Sequence, residues 1–348
     1  MIVNRRDALL GGSALAATGL LPQVAQAAGS PATLAFGPSS AIYSLGKIAL
    51  EKGFFEKEGV DLKLVIGNAG THGRQALAAG QALYAHGDAS HSLQLSNRGK
   101  KCKIIMASQM IASISNIVVR KDLFDAGIKT VEDLGAYKRP DGSKPIIAAT
   151  AIGAGTWMYG TYVFESKKLS DKINWVAGGG PKTLFPGLET KQFDAIMAVP
   201  SWVIEAEDKN FGRVIYDTSK KGVFTDVFGG TVPVLVLYTL GETTKDEKAK
   251  TQSFVNAMYQ AMQWTKTAPI DDVYALVGKK YYDGYDEKAT KVELAFDRET
   301  WGYTGRIEKA DFERGSKVWY RAGTDIPPTN FEDIVDMSFL DAAQAKFK

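Results

Sequence analysis

Ala41-Ile42-Tyr43-Ser44-Leu45-Gly46-Lys47-Ile48-Ala49-Leu50-Glu51-Lys52-Gly53-Phe54-Phe55-Glu56-Lys57-Glu58-Gly59-Val60-Asp61-Leu62-Lys63-Leu64-Val65-Ile66 is the stretch on which the fold turns. Ile42, Leu45, Ile48, Ala49 and Phe55 recur at helical spacing, which predicts a helix from Ala41 to about Lys57. Gly59 stops it. Val60 to Ile66 then alternates apolar and polar residues, the pattern of a strand. Ahead of the helix, Thr33 to Phe36 is a short β-like run that ends in the turn Gly37-Pro38-Ser39-Ser40. Strand, polar turn, helix and strand in this order form a crossover unit with parallel strands.

Moving outward, the same grammar repeats. Gly67 to Gly73 is a turn-rich loop, Arg74 to Ala79 a short helix, and Ala82 to His86 a strand followed by Gly87-Asp88-Ala89-Ser90-His91. Lys103 to Ala107 and Ile117 to Arg120 read as further strands. Thr130-Val131-Glu132-Asp133 has the pattern of a capping box opening a helix. Strands then follow at Pro145 to Ala149, Ile173 to Ala177, Phe193 to Val199 and Arg213 to Tyr216. Between them lie the turns Gly153-Ala154-Gly155-Thr156 and Gly178-Gly179-Gly180, each opening a helix, and Pro200-Ser201-Trp202. Val232 to Leu240 reads as a buried strand leaving this second unit. Beyond it come helices over 245–266, 287–301, 309–322 and 331–346, expected to pack back on the first unit. The expected architecture is α/β with two lobes, each a mostly parallel sheet flanked by helices. Residues 28–118 and 234–348 form lobe 1 and residues 119–233 form lobe 2. Two crossing segments, near 115–122 and 228–235, would serve as the hinge.

The N-terminus carries a different kind of signal. Arg5-Arg6 precedes an apolar, Gly/Ala-rich run from Ala8 to about Leu21, and Ala25-Gln26-Ala27 offers a small-x-small cleavage site. This layout is that of a secretory signal of the twin-arginine type, so residues 1–27 are set apart from the fold and the mature chain is expected in the periplasm. The apolar run is shorter than the ~20 residues a membrane-spanning helix needs. Cys102 is the single cysteine, so an exported chain would have no internal disulfide. A net charge of +3, spread among interleaved acidic residues, does not suit a nucleic-acid binder.

The phrase Ala49-Leu50-Glu51-Lys52-Gly53-Phe54-Phe55-Glu56-Lys57-Glu58-Gly59-Val60-Asp61-Leu62 resembles the periplasmic substrate-binding proteins of ABC transporters for nitrate, sulfonates, taurine and thiamine-pyrimidine precursors. Gln75 to Gln81, Gly87 to Ser90, Asn116 to Asp122 and Thr130 to Leu134 resemble later segments of that family in the same order. The resemblance spans roughly residues 32–240. It implies a type II, Venus-flytrap binding protein that closes on a small organic ligand and delivers it to the permease subunits. The implied protein is a monomer that needs no cofactor and performs no catalysis. In this family the loop after the second-lobe strand often carries Gly with Ser or Thr before a small polar helix start. Here Trp157 and Met158 follow Thr156, which points to an organic ligand with an apolar or aromatic part rather than nitrate.

In open α/β sheets the loops at the carboxyl ends of the strands line the ligand crevice. Helix N-termini there present unpaired N–H groups suited to an anion. The candidate anion contacts are Ser39, Ser40, Gly70, Thr71, His72, Ser90, His91, Gly155, Thr156 and Ser201. Tyr43, Trp157 and Trp202 are candidate aromatic walls, and Arg74 is a candidate partner for a carboxylate or sulfonate. Any of these has an ordinary alternative role as cap, core or solvated residue. The three histidines, His72, His86 and His91, lie close in sequence but lack metal-ligand spacing, and no metal is expected. Gly153-Ala154-Gly155 starts like a dinucleotide fingerprint, yet Met158 stands where the third glycine belongs. The expected function is capture of a small organic anion by hinge closure. A pyrimidine-precursor binder, an enzyme on the same fold and a periplasmic sensor partner remain as alternatives.

Overall fold

A computed structural model describes residues 29–38 and 40–348. The expected export signal and Ser39 lie outside the described residues. The strands, in chain order, are β1 (Ser30–Phe36), β2 (Val60–Ile66), β3 (Tyr84–Asp88), β4 (Cys102–Gln109), β5 (Asn116–Arg120), β6 (Ile146–Ala149), β7 (Asn174–Ala177), β8 (Ala195–Ala198), β9 (Gly212–Tyr216) and β10 (Leu235–Leu240). They form two five-stranded sheets, β2-β1-β3-β10-β4 and β7-β6-β8-β5-β9.

The two sheets share one plan. Within each, β1, β2 and β3, or β6, β7 and β8, pair in parallel through crossover helices. A single strand runs against its neighbours on both sides: β10 in the first sheet and β5 in the second. Each of these strands has just arrived from the other sheet. The chain passes between sheets over residues 110–115, through a short 3₁₀ turn at Ser113–Ser115, and again over 229–234 after the helix Val223–Phe228. Residues 116–120, read from the sequence as part of the crossing, are already ladder: Ile117, Val118 and Val119 are fully buried between β8 and β9. Strands covered on both faces read as unbroken apolar runs, which is why β5 and β10 are legible as buried strands.

Local departures from the sequence reading have local causes. The helix expected over 41–57 is a 3₁₀ turn at Ala41–Tyr43, a helix Ser44–Glu51 and a further turn of helix Phe54–Lys57. Gly53, at φ +68°, breaks it in the left-handed region that glycine enters without penalty. Past that break Phe55 packs against Phe254, ring centroids 5.6 Å apart. Helix Ile270–Tyr281 escaped the reading because Val273, Val277 and Gly278 alone are buried among its acidic and basic residues. The tail expected as one helix over 331–346 is two, Phe331–Ile334 and Ser338–Lys346, and between them Val335 bridges to Ile104 of β4.

Helix Lys248–Thr267 packs on helices Ser44–Glu51 and Ser338–Lys346, covering the first sheet. Helix Glu287–Thr300 reaches further: it packs on the turn Ala41–Tyr43 of the first lobe and on helix Pro200–Asp208 of the second. The second lobe has its own buried anchor at Asp194. Its carboxylate accepts from Arg120 Nη1 and Arg139 Nη1, both at 3.0 Å, and from the Ile146 N–H at 2.8 Å. The capping box expected at Thr130 is present, with Thr130 Oγ1 accepting from the Asp133 N–H and Asp133 Oδ2 from the Thr130 N–H.

Candidate functional site

The parallel strands of both sheets end toward one another, so their strand-to-helix turns meet across a shared cleft. Ser40, Tyr43, Gly70, Asp88 and His91 line it from the first lobe, and Thr150, Gly155, Thr156 and Trp202 from the second. Ile114 of the first passage and Leu235 at the start of β10 close its floor. The cleft is narrow, with about 440 Å³ of atom-free space.

Its walls are made of packed rings and a threonine pair. Tyr43 stacks on Phe36 at 5.2 Å and meets the His86 ring edge-on at 5.2 Å. Trp202 is buried edge-on to Phe185 at 6.4 Å, and among the described residues its indole N–H has no partner. Thr156 Oγ1 lies 2.8 Å from Thr150 Oγ1 and accepts from the Thr150 N–H at 3.1 Å, tying the end of β6 to the first turn of helix Gly155–Ser166.

The polar groups are unusual for an anion site. Asp88 ends β3 and caps helix Ala89–Asn97, with Oδ1 accepting from the Ser90 N–H at 2.9 Å. Among the described residues its other oxygen has no partner, and it points across the cleft: a Cβ placed on Gly155 would lie 2.9 Å from it. Burial lifts the Asp88 carboxyl to about 6, against the pull of the Ser90 contact. His91 is buried, neither ring nitrogen is bonded among the described residues, and burial, aided by Arg74, holds it down at about 3, so the ring is neutral.

A second buried carboxylate joins the lobes. Glu293, at 0% exposure on helix Glu287–Thr300, accepts from Ser40 Oγ at 2.7 Å and the Ile42 N–H at 3.2 Å with one oxygen. With the other it accepts from the Ser201 N–H at 3.1 Å and from Ser201 Oγ. Donors expected from the sequence to hold a ligand anion are thus held by the chain's own side chains: Ser40 and Ser201 by Glu293, and the Ser90 N–H by Asp88. Lys47 sits behind, bonded to Tyr282 Oη at 3.2 Å; burial lowers its ammonium to about 7 while Glu293 opposes that shift.

A second, open cavity adjoins the cleft, with about 730 Å³ of atom-free space counting the solvent at its mouth, lined by Arg74, Gln94, Asn97 and Arg98 of the first lobe, Ile152, Gly153 and Trp157 of the second, and the turn 323–325. Gln94 Nε2 reaches the Gly153 carbonyl across it at 3.5 Å.

The structure therefore divides the residues singled out from the sequence. Ser40, Tyr43, Gly70, His91, Gly155, Thr156 and Trp202 line the inner cleft, and Arg74 and Trp157 line the outer cavity. Thr71, His72, Ser90 and Ser201 line neither. Thr71 is buried at the start of helix His72–Ala78, and the His72 ring lies against Gly67, where an added Cβ would meet it at 2.0 Å. Ser90 and Ser201 are buried in the first turns of their helices. The sequence reading missed Asp88 and Glu293. Asp88 was legible, since Asp between a strand and a helix two residues before Ser90 is a capping signal. Glu293 was not, because its partners lie some 90 and 250 positions away. Among the described residues no group of three or more His, Cys, Asp or Glu is placed to hold a metal, and no helix is long and apolar enough to cross a membrane.

Two lobes, each with one strand exchanged from the other, enclosing a cleft at the strand ends, define the two-lobe periplasmic-binding-protein fold. The model of the NMT1-like family matches residues 25–276, and the chain belongs to that family. A protein of Bordetella bronchiseptica RB50 superposes with a TM-score of 0.78 at 23% identity, covering 91% of this chain and 98% of that one. The periplasmic aliphatic sulphonate binding protein SsuA of Escherichia coli superposes with a TM-score of 0.57 at 15% identity, covering 91% and 92%. The desulfurization enzyme DszB shares the fold as well, with a TM-score of 0.62 at 14% identity, covering 92% and 100%. No curated protein matches the chain.

Proposed function

We propose that this chain is the solute-binding subunit of an ABC importer, exported to the periplasm, where it acts as a monomer and passes a small organic anion to the permease. In this reading the chain forms two lobes, expected at 28–118 with 234–348 and at 119–233, with β5 (Asn116–Arg120) counted wholly to the second because it pairs with β8 and β9, and they hinge over the two passages between the sheets. The observation that carries this reading is the cleft walled by strand-end residues of both lobes, because a ligand contacting both at once favours the closed arrangement. A carboxylate or sulfonate suits the arginine-bearing outer cavity, and an apolar or aromatic body suits Tyr43, Trp157 and Trp202.

The test is solution scattering and thermal denaturation of the mature protein, with and without the small molecule it retains through native purification. Compaction together with a raised melting temperature is the expected result. A tightly held ligand that changes neither would refute hinge closure. Stoichiometric conversion of that ligand by the purified protein would instead favour the enzyme alternative, whose fold DszB shares.

A further inference from the structure

We infer that the ligand is two-ended: it places a hydrogen-bond-donating group, an amine or a ring N–H, inward on Asp88, and its anionic group outward on Arg74 and Arg98. This rests on the capture reading above and specifies the chemistry and orientation of what is captured.

The inner end is set by Asp88. It is 2% exposed, one oxygen has no partner, and that oxygen stands over Gly155, at the first turn of a twelve-residue helix of the opposite lobe. Only a residue without a Cβ admits it so closely. A ligand anion aimed at that helix N-terminus would meet a carboxylate already there, with no Lys or Arg among the described residues lining the inner cleft and Arg74 acting on Asp88 only from the outer cavity. A donor meets the opposite situation, since a buried acceptor without a partner is costly and a ligand N–H relieves that cost. Neutral His91, with both ring nitrogens free and on the same helix, supplies one donor and one acceptor beside it.

The outer end is set by charge. Among the described residues neither the Arg74 nor the Arg98 guanidinium has an ion pair or a side-chain hydrogen bond; burial lowers Arg74, Tyr238 opposes that, and the charge of Arg98 adds to it. Asp325, at the cavity rim, is the single acidic residue lining it. The cavities share their walls. His91 faces the inner one and Gln94, one turn on, the outer; Gly70 and Arg74 divide in the same way; Ala154 to Thr156 face inward while Gly153 and Trp157 face outward. One elongated molecule would span both, its middle lying against Trp157.

The probes are aminobenzoates and aminoalkanesulfonates, each with its parent acid lacking the amine and its parent amine lacking the acid. Affinity for the mature protein is measured by titration calorimetry. The expected result is at least one two-ended probe that binds about tenfold or more tightly than either parent. In Arg74→Gln, which leaves Arg98 in place, removing the acid group from that probe should cost clearly less than in the parent, and in Asp88→Asn the same should hold for removing the amine. A parent acid that binds as well as its amino derivative would overturn the inference while leaving capture intact, as would an unchanged acid preference in Arg74→Gln. Failure of every probe, together with no ligand retained on purification, would overturn the capture reading itself and this inference with it.

Discussion

Glu293→Ala is the substitution whose consequence follows most directly from the geometry. It removes the acceptor of four hydrogen bonds, two from the turn at Ser40–Ile42 and two from the start of helix Pro200–Asp208. The two serine hydroxyls can rotate toward other acceptors. The Ile42 and Ser201 N–H groups cannot, and each stranded buried donor costs about 1–3 kcal/mol. The expected loss is therefore about 4 kcal/mol. With unfolding entropy of about 2.1 cal/mol/K per residue over a chain of this size, that corresponds to a fall in melting temperature of roughly 6 °C. Glu293→Gln keeps one acceptor and turns an N–H₂ toward the other pair of donors, so it should fall about midway. Because the bonds join the two lobes, the alanine variant should also show a larger radius of gyration by small-angle scattering under native conditions. Calorimetry and scattering at neutral pH test both. A melting temperature within about 1 °C of the parent, with an unchanged scattering profile, would refute the reasoning that this carboxylate ties the lobes together.

Three further outcomes follow from other residues. Trp202→Ala removes a buried cleft wall and should weaken ligand binding by about 1–3 kcal/mol; an unchanged affinity would remove Trp202 from the ligand's surroundings. Asp194→Ala leaves Arg139 without its carboxylate, Arg120 with Asp122 alone and the Ile146 N–H without its acceptor, and should cost about 3–5 kcal/mol, read as a lower urea midpoint; a midpoint equal to the parent's would show that the cluster does not support the lobe. Burial holds His86 and His91 at about 3, below their ordinary 6.5, so from 6.5 down to about 3 the unfolded chain takes up protons that the folded chain refuses, and stability falls with pH across that window. Asp88, lifted to about 6, and Asp297, raised by burial and by Glu293, work the other way between those raised values and 3.8, so the histidine contribution is read from a variant rather than from the total. As pH is lowered from 6.5 to about 4, the urea midpoint of His91→Gln should therefore lose less, or gain more, than the parent's, and parallel profiles for the two would count against a neutral buried His91.

Most of the architecture is legible in the residues because it is written locally. The alternation of Val60–Ile66, the apolar spacing from Ile42 to Ala49, the box at Thr130 and the apolar runs of β5 and β10 each report on neighbours a few positions away. Repetition of strand, turn and helix then dictates parallel sheets with their turns at one end. The boundaries were less legible where backbone freedom intervened, as at Gly53, or where few apolar residues marked the buried face, as in Ile270–Tyr281. Within the site, Tyr43, His91, Thr156 and Trp202 could be named because they follow strand ends, where the topology puts a crevice.

By itself, the sequence determined the fold class, the order of elements and the set of turns that face the cleft, since these depend on periodicity and short-range sterics. Tertiary structure alone decided which of those turn residues remain free for a ligand. Glu293 comes from a helix some 250 residues beyond Ser40 to satisfy its hydroxyl, and Asp88 of one lobe fits over Gly155 of the other. Charge acts through space, so the sign of a pocket is set by side chains that the chain's linear order keeps far apart.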